Sequence, residues 1–209
     1  MSRRPFHKFA VIAFAAALAA TVLAGCGKAP KLDRLDANAT VLAFGDSLTF
    51  GAGAAADQSY PAVLERLIGR KVIAAGVPGE TSQEGLARLP EALGEFKPQL
   101  LILCHGGNDF LRKLGEQNAA ANVRAMVKVA RGRGIAVVLI ATPKPGLMPS
   151  APEFYAEIAK EFGIPLEDGA LKKVLTDNAL KSDLIHPNAS GYARIAEAIA
   201  QLLKNAGAV

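Results

Sequence analysis

Thr40-Val41-Leu42-Ala43-Phe44-Gly45-Asp46-Ser47-Leu48 decides how the rest of the chain is read. Residues 40–44 form a run without polar alternation, the pattern of a strand covered on both faces, as in a parallel sheet. Gly45 and Asp46 end it in a turn, so Ser47 is expected at the carboxyl end of the strand. Three further runs share this character, at 71–75, 100–104 and 135–141.

Amphipathic stretches fill the intervals. Residues 60–68 have Ser59 as a possible N-cap and Pro61 in the first turn. Thr81 and Glu84 have the spacing of a capping box, and Pro90 is expected to kink or divide the helix they open. Val123, Met126, Val127 and Ala130 stripe a helix at 118–131, and Tyr192, Ile195, Ala196, Ile199 and Leu203 stripe another at 190–204. Strand–helix alternation of this kind predicts a three-layer α/β/α sandwich with a mostly parallel, flavodoxin-like sheet. Such sheets bind ligands at the carboxyl ends of their strands. There Gly45-Asp46-Ser47, Gly79-Glu80-Thr81 and Gly106-Gly107-Asn108-Asp109 should converge.

The chain has 209 residues, 51% of them hydrophobic and 21% charged, enough for one folded domain and incompatible with dominant disorder. Its net charge of +5 owes much to Arg3, Arg4 and Lys8. No other basic block occurs and aromatics make up only 6%, so no nucleic-acid partner is expected.

Basic residues 2–8 precede an apolar run at 9–23, too short to span a bilayer and typical of an export signal. The run ends in Leu23-Ala24-Gly25-Cys26, which resembles the lipobox of bacterial lipoproteins; the resemblance implies lipidation of Cys26. The expected division is a signal peptide over 1–25, a lipidated tether over 26–38 and a folded domain over 39–209, folding from about Thr40. Arg3-Arg4 leaves both the general and the twin-arginine export routes open, and an ordinary secretory signal with an incidental Cys26 is the alternative. Gly27, where an aspartate would retain the protein in the inner membrane, makes the outer membrane of a Gram-negative cell the expected site. Cys104, inside an apolar run, reads as a small buried strand residue.

A serine hydroxyl needs a base within hydrogen-bond reach to act as a nucleophile. Only His7, His105 and His186 exist, and His7 belongs to the export signal. Pro187 disfavours a helical conformation at His186, so Asp183 and His186 should share a loop in which the carboxylate fixes the imidazole tautomer. His105 lacks a neighbouring carboxylate other than Asp109 and reads as a pocket-lining or structural residue. Oxyanion donors are expected from the backbone N–H groups of Ser47 and Gly79 and the side-chain amide of Asn108.

Taken in order, Gly45-Asp46-Ser47-Leu48, Gly79, Gly106-Gly107-Asn108-Asp109 and Asp183-Leu184-Ile185-His186 resemble the GDSL or SGNH hydrolases from about Thr40 to Leu203. The resemblance implies an α/β/α fold, no metal or organic cofactor, and ester or thioester hydrolysis through an acyl-enzyme. Gly79-Glu80-Thr81-Ser82 with Gly85-Leu86-Ala87-Arg88-Leu89-Pro90, and His186-Pro187-Asn188 with Gly191-Tyr192, are similar to the arylesterase, lysophospholipase and thioesterase branch, so the expected partner is a small acyl-ester or lipid substrate. Cys104-His105 departs from that pattern and bears on local pocket polarity. Carbohydrate O-deacetylation and non-catalytic ligand binding on the same fold are the competing functions. The proline-rich loop at 142–152, with Leu147 and Met148, and the following Phe154 and Tyr155 either wall an acyl site or pack on the surface.

Overall fold

Residues 29–146 and 149–209 are described by the structure, a computed structural model. The expected export signal, Cys26, Leu147 and Met148 lie outside the described residues. Five strands, β1 (Thr40–Gly45), β2 (Lys71–Gly76), β3 (Leu100–Cys104), β4 (Ala136–Ile140) and β5 (Leu166–Glu167), pair in the order β2-β1-β3-β4-β5. Every pairing is parallel, in the flavodoxin-like order.

The unbroken apolar strands serve two cores because successive side chains point to opposite faces. Val41, Ala43, Leu100, Ile102, Val138 and Ile140 pack one way. They meet α2 (Tyr60–Ile68), α7 (Ala170–Thr176) and α8 (Ala189–Ala206). Leu42, Phe44, Leu101, Leu103, Val137 and Leu139 pack the other way, onto α3 (Ser82–Phe96), α5 (Glu116–Gly132) and α6 (Phe154–Phe162). Two short helices, α1 (Ser47–Phe50) and α4 (Gly107–Leu111), open directly after β1 and β3.

Several expectations need correction. The Thr81–Glu84 capping box forms, but the helix it opens runs unbroken through Pro90. Burial of Leu89, Ala92 and Leu93 against the sheet holds the turn that the proline ring weakens. Ser59 occupies the N-cap of α2 without capping it, its hydroxyl donating instead to Ala56 O. The domain does not wait for Thr40 to begin. Leu35 and Ala39 are buried, and the amides of Leu32 and Leu35 donate to Ala206 O and Ala208 O. Apolar residues among the charges therefore dock residues 31–39 on the end of α8, where a free tether was expected.

Candidate active site

Asp46 turns the chain out of β1. Its Oδ1 accepts the Leu48 N–H at 3.0 Å, capping α1 and setting Ser47 in its first turn. A Cβ on Gly45 would stand 2.3 Å from both Cys104 O and Thr49 Oγ1, so only glycine lets α1 sit this close to the sheet.

The histidine arrives on the loop before α8. Ser182 N–H donates to His186 O at 3.0 Å, and beyond Pro187 the Asn188 side chain caps α8 by accepting from the Gly191 amide. Within this turn Asp183 Oδ1 accepts the amides of Ile185 and His186, each at 2.8 Å. Its Oδ2 lies 2.8 Å from His186 Nδ1, and His186 Nε2 lies 3.0 Å from Ser47 Oγ. A carboxylate only accepts, so Nδ1 carries the proton and Nε2 is left bare toward the serine hydroxyl. Partial desolvation works to raise the Asp183 carboxyl, but the His186 ring and the two amides hold it below its ordinary range.

Gly79 sits at the third position of a turn closed by Glu80 N–H to Val77 O at 3.1 Å. Its φ of 80° is the left-handed value such a turn demands of glycine after Pro78. Val77 N–H donates to Gly45 O at 3.0 Å, tying this turn to the end of β1. Among the described residues neither the Ser47 nor the Gly79 amide has a backbone or side-chain acceptor. Asn108 differs: its Nδ2 donates to Glu80 O at 3.0 Å and to Asp46 Oδ2 at 3.2 Å. Both Nδ2 hydrogens of Asn108 are thereby engaged. Burial outweighs the neighbouring His105 charge and the Leu48 amide at Asp46, pushing its carboxyl above the ordinary value.

Beneath the site lies a cluster that sequence reasoning only half identified. His105 is fully buried, with Nε2 3.1 Å from Glu80 Oε2, while Arg88 grips both Glu80 oxygens at 2.7 Å and lies over the Phe44 ring. Burial would raise the Glu80 carboxyl, yet the hydrogen bonds from Arg88 and His105 bring it to about 2. His105 is thus enclosed in the core, and its carboxylate partner is Glu80 and not Asp109. Asp109 instead accepts from the Ser82 amide and hydroxyl, at 2.8 and 2.7 Å. Glu80 and Arg88 both stand in the stretches similar to the arylesterase branch, but nothing in their spacing pairs them. Cys104 is buried in β3, where desolvation pushes its thiol upward.

Ser47, Asn108 and His186 open on a cavity of about 520 Å³ whose walls include Leu48, Leu111, Pro143, Leu175 and Ile185. The loop after β4 contributes through Thr142, Pro145 and Pro149. Phe154 and Tyr155, expected as possible pocket walls, are buried in the core instead. Tyr155 anchors its hydroxyl on His105 O at 2.6 Å. Among the described residues no group of three or more His, Cys, Asp or Glu is placed to hold a metal ion.

Fold and site define a class: three-layer α/β/α hydrolases that carry a serine–histidine pair above the carboxyl edge of a parallel sheet. The GDSL-like lipase/acylhydrolase family model matches residues 43–194, and the chain belongs to that family. It is similar to thioesterase 1/protease 1/lysophospholipase L1 of Escherichia coli K12, 31% identical over 173 residues, covering 79% of this chain and 83% of that protein. Esterase TesA of Pseudomonas aeruginosa is 29% identical over 198 residues, covering 88% and 98%. A crystal structure of TesA superposes with a TM-score of 0.71 at 29% identity, covering 80% of this chain and 99% of that one. The protein is a carboxylic ester hydrolase.

Proposed function

We propose that Ser47 is the nucleophile, His186 its general base and Asp183 the residue that orients His186, and that the protein hydrolyses acyl or aryl esters through an acyl-enzyme. The observation that carries this reading is the unbroken contact chain from Ser47 Oγ to His186 Nε2 and from His186 Nδ1 to Asp183 Oδ2, at 3.0 and 2.8 Å. Nε2 takes the hydroxyl proton as Oγ attacks the ester carbonyl, and returns it to the leaving alkoxide or phenoxide. The Ser47 and Gly79 amides and the Asn108 side chain stabilise the oxyanion. Water, deprotonated by the same imidazole, then releases the acid.

The apolar walls support an acyl chain or aryl ring as the portion of substrate bound, with lysophospholipids and thioesters within the class. Lipidation at Cys26 after export, and residence at the outer membrane, complete the proposal. A chain-length series of nitrophenyl esters tests the substrate class. Turnover is expected for short to medium acyl chains and to vanish in Ser47→Ala; a Ser47→Ala protein with undiminished hydrolysis refutes it. Cys26→Ser is expected to abolish membrane retention, and a wild-type protein that fractionates as freely soluble refutes the anchor.

A further inference from the structure

The edge of the sheet opposite the active site is basic. Arg70 and Lys71 stand at the start of β2, and Lys97 precedes β3; Arg66 instead reaches back along α2 to donate to Asp57 O at 3.0 Å. Arg131 and Arg133 precede β4, Lys160 precedes β5, and Lys204 lies in the last turn of α8. Lys31 and Arg34 join them on the segment docked against α8. These nine cations face five acids at the same edge, Asp33, Asp36, Glu65, Glu95 and Glu161. Two of the five are engaged, Glu65 by the Val72 amide and Glu161 by Arg124.

None of the nine cations forms an ion pair among the described residues. The other described residues hold eleven Lys and Arg against fourteen Asp and Glu, so the excess positive charge of the described residues is concentrated at this edge. Helix dipoles favour cations in the last turns and C-caps that hold Lys97, Arg131, Arg133, Lys160 and Lys204. They do not account for Lys31, Arg34, Arg70 or Lys71, which stand outside helices.

The chain also enters the domain here. Leu32 and Leu35 are bonded to the carboxyl end of α8, while His186 and the cavity adjoin its amino end. The helix has 18 residues, so the two ends are about 27 Å apart at 1.5 Å per residue. Cys26 lies five residues before Lys31, a reach of at most about 18 Å. An apolar groove lined by Ala29, Pro30, Ile164, Leu166 and Leu202 opens beside this entry, with Lys160 on its rim.

We infer that this basic edge docks on an anionic phospholipid surface and holds the catalytic mouth away from the bilayer that anchors the protein. The docking stands on charge and on where the chain enters. Its consequence rests on the esterase and lipid-anchor readings: the substrate is an ester that diffuses to the enzyme through water, and esters embedded in the anchoring leaflet are spared.

The test uses full-chain protein as the cell processes it, on vesicles of phosphatidylcholine with or without phosphatidylglycerol and a headgroup-borne quencher. A fluorophore is placed either at Gly94→Cys, beside the basic edge where a side chain meets nothing within 4 Å, or at Leu184→Cys, 88% exposed at the mouth. On anionic vesicles the Gly94 label is expected to be quenched several-fold more than the Leu184 label. High salt, or the combined Lys97→Glu, Arg131→Glu and Arg133→Glu, should erase that difference. Equal quenching at the two positions, stronger quenching at Leu184, or no association with anionic vesicles overturns the inference. Hydrolysis of a water-soluble nitrophenyl ester by the Gly94→Cys sample, whose label lies away from the cavity, reports the esterase reading separately.

Discussion

Glu80→Gln removes the charge at the centre of the buried cluster while keeping the shape of the side chain. In the native protein both carboxylate oxygens are held by Arg88 at 2.7 Å and one of them also by His105 at 3.1 Å. Breaking one partner of such a buried pair typically costs about 3–5 kcal/mol. At about 2–4 °C per kcal/mol for a domain of this size, that is a fall in Tm of roughly 6–20 °C at neutral pH. The pH dependence follows from the carboxyl being held at about 2 in the fold against 4.5 ordinarily. An acid whose pKa is depressed by folding contributes its stability above the unfolded value and loses it as pH falls toward the folded one. The difference between wild type and Glu80→Gln is therefore expected to be full above pH 4.5 and to close as pH falls toward 2. Urea denaturation of both proteins across that range, followed by circular dichroism, measures it. A variant as stable as wild type at neutral pH, or a gap that stays constant on acidification, refutes the reasoning.

Two further perturbations probe the parts that surround the serine. Asn108→Ala is expected to lower kcat by about 10²–10³ with little change in KM, because an oxyanion donor acts mainly in the transition state; unchanged turnover of an activated ester would reduce Asn108 to a tie between Asp46 and Glu80. Gly85→Ala would bring a Cβ within 2.4 Å of His105 Nε2, so a loss of about 1–3 kcal/mol is expected on thermal denaturation, and a Tm equal to wild type would show that the buried ring can yield.

The sheet was legible because its strands carry continuous apolar runs whose length separates them from helices, and the turn after 40–44 put Ser47 where a nucleophile is useful. Asp183 and His186 were legible because Pro187 disfavours a helix there, and the carboxylate three residues back reaches the ring in the turn that results. What stayed hidden has physical reasons. At two residues β5 is shorter than any periodicity, and α1 and α4 are single turns fixed by contacts with the sheet, not by pattern. Phe154 and Tyr155, following a proline-rich loop, read as pocket wall or surface packing, whereas the first turn of the helix they open is buried against the sheet. The Glu80–Arg88–His105 cluster joins two elements, and no one-dimensional spacing encodes which acid a buried arginine will meet. Leu32 and Leu35, surrounded by charge, read as linker until the end of α8 supplies the surface that covers them.

The central claim is that His186, and not the buried His105, activates Ser47. Reaction of purified, folded protein with a fluorophosphonate, with the modified residue located by mass spectrometry, tests it most directly. The adduct is expected on Ser47 in wild type and in a folded His105→Ala variant, and its formation should be nearly abolished in His186→Ala. A Ser47 that stays unmodified in wild type, or one that reacts normally in His186→Ala but not in His105→Ala, would contradict the account.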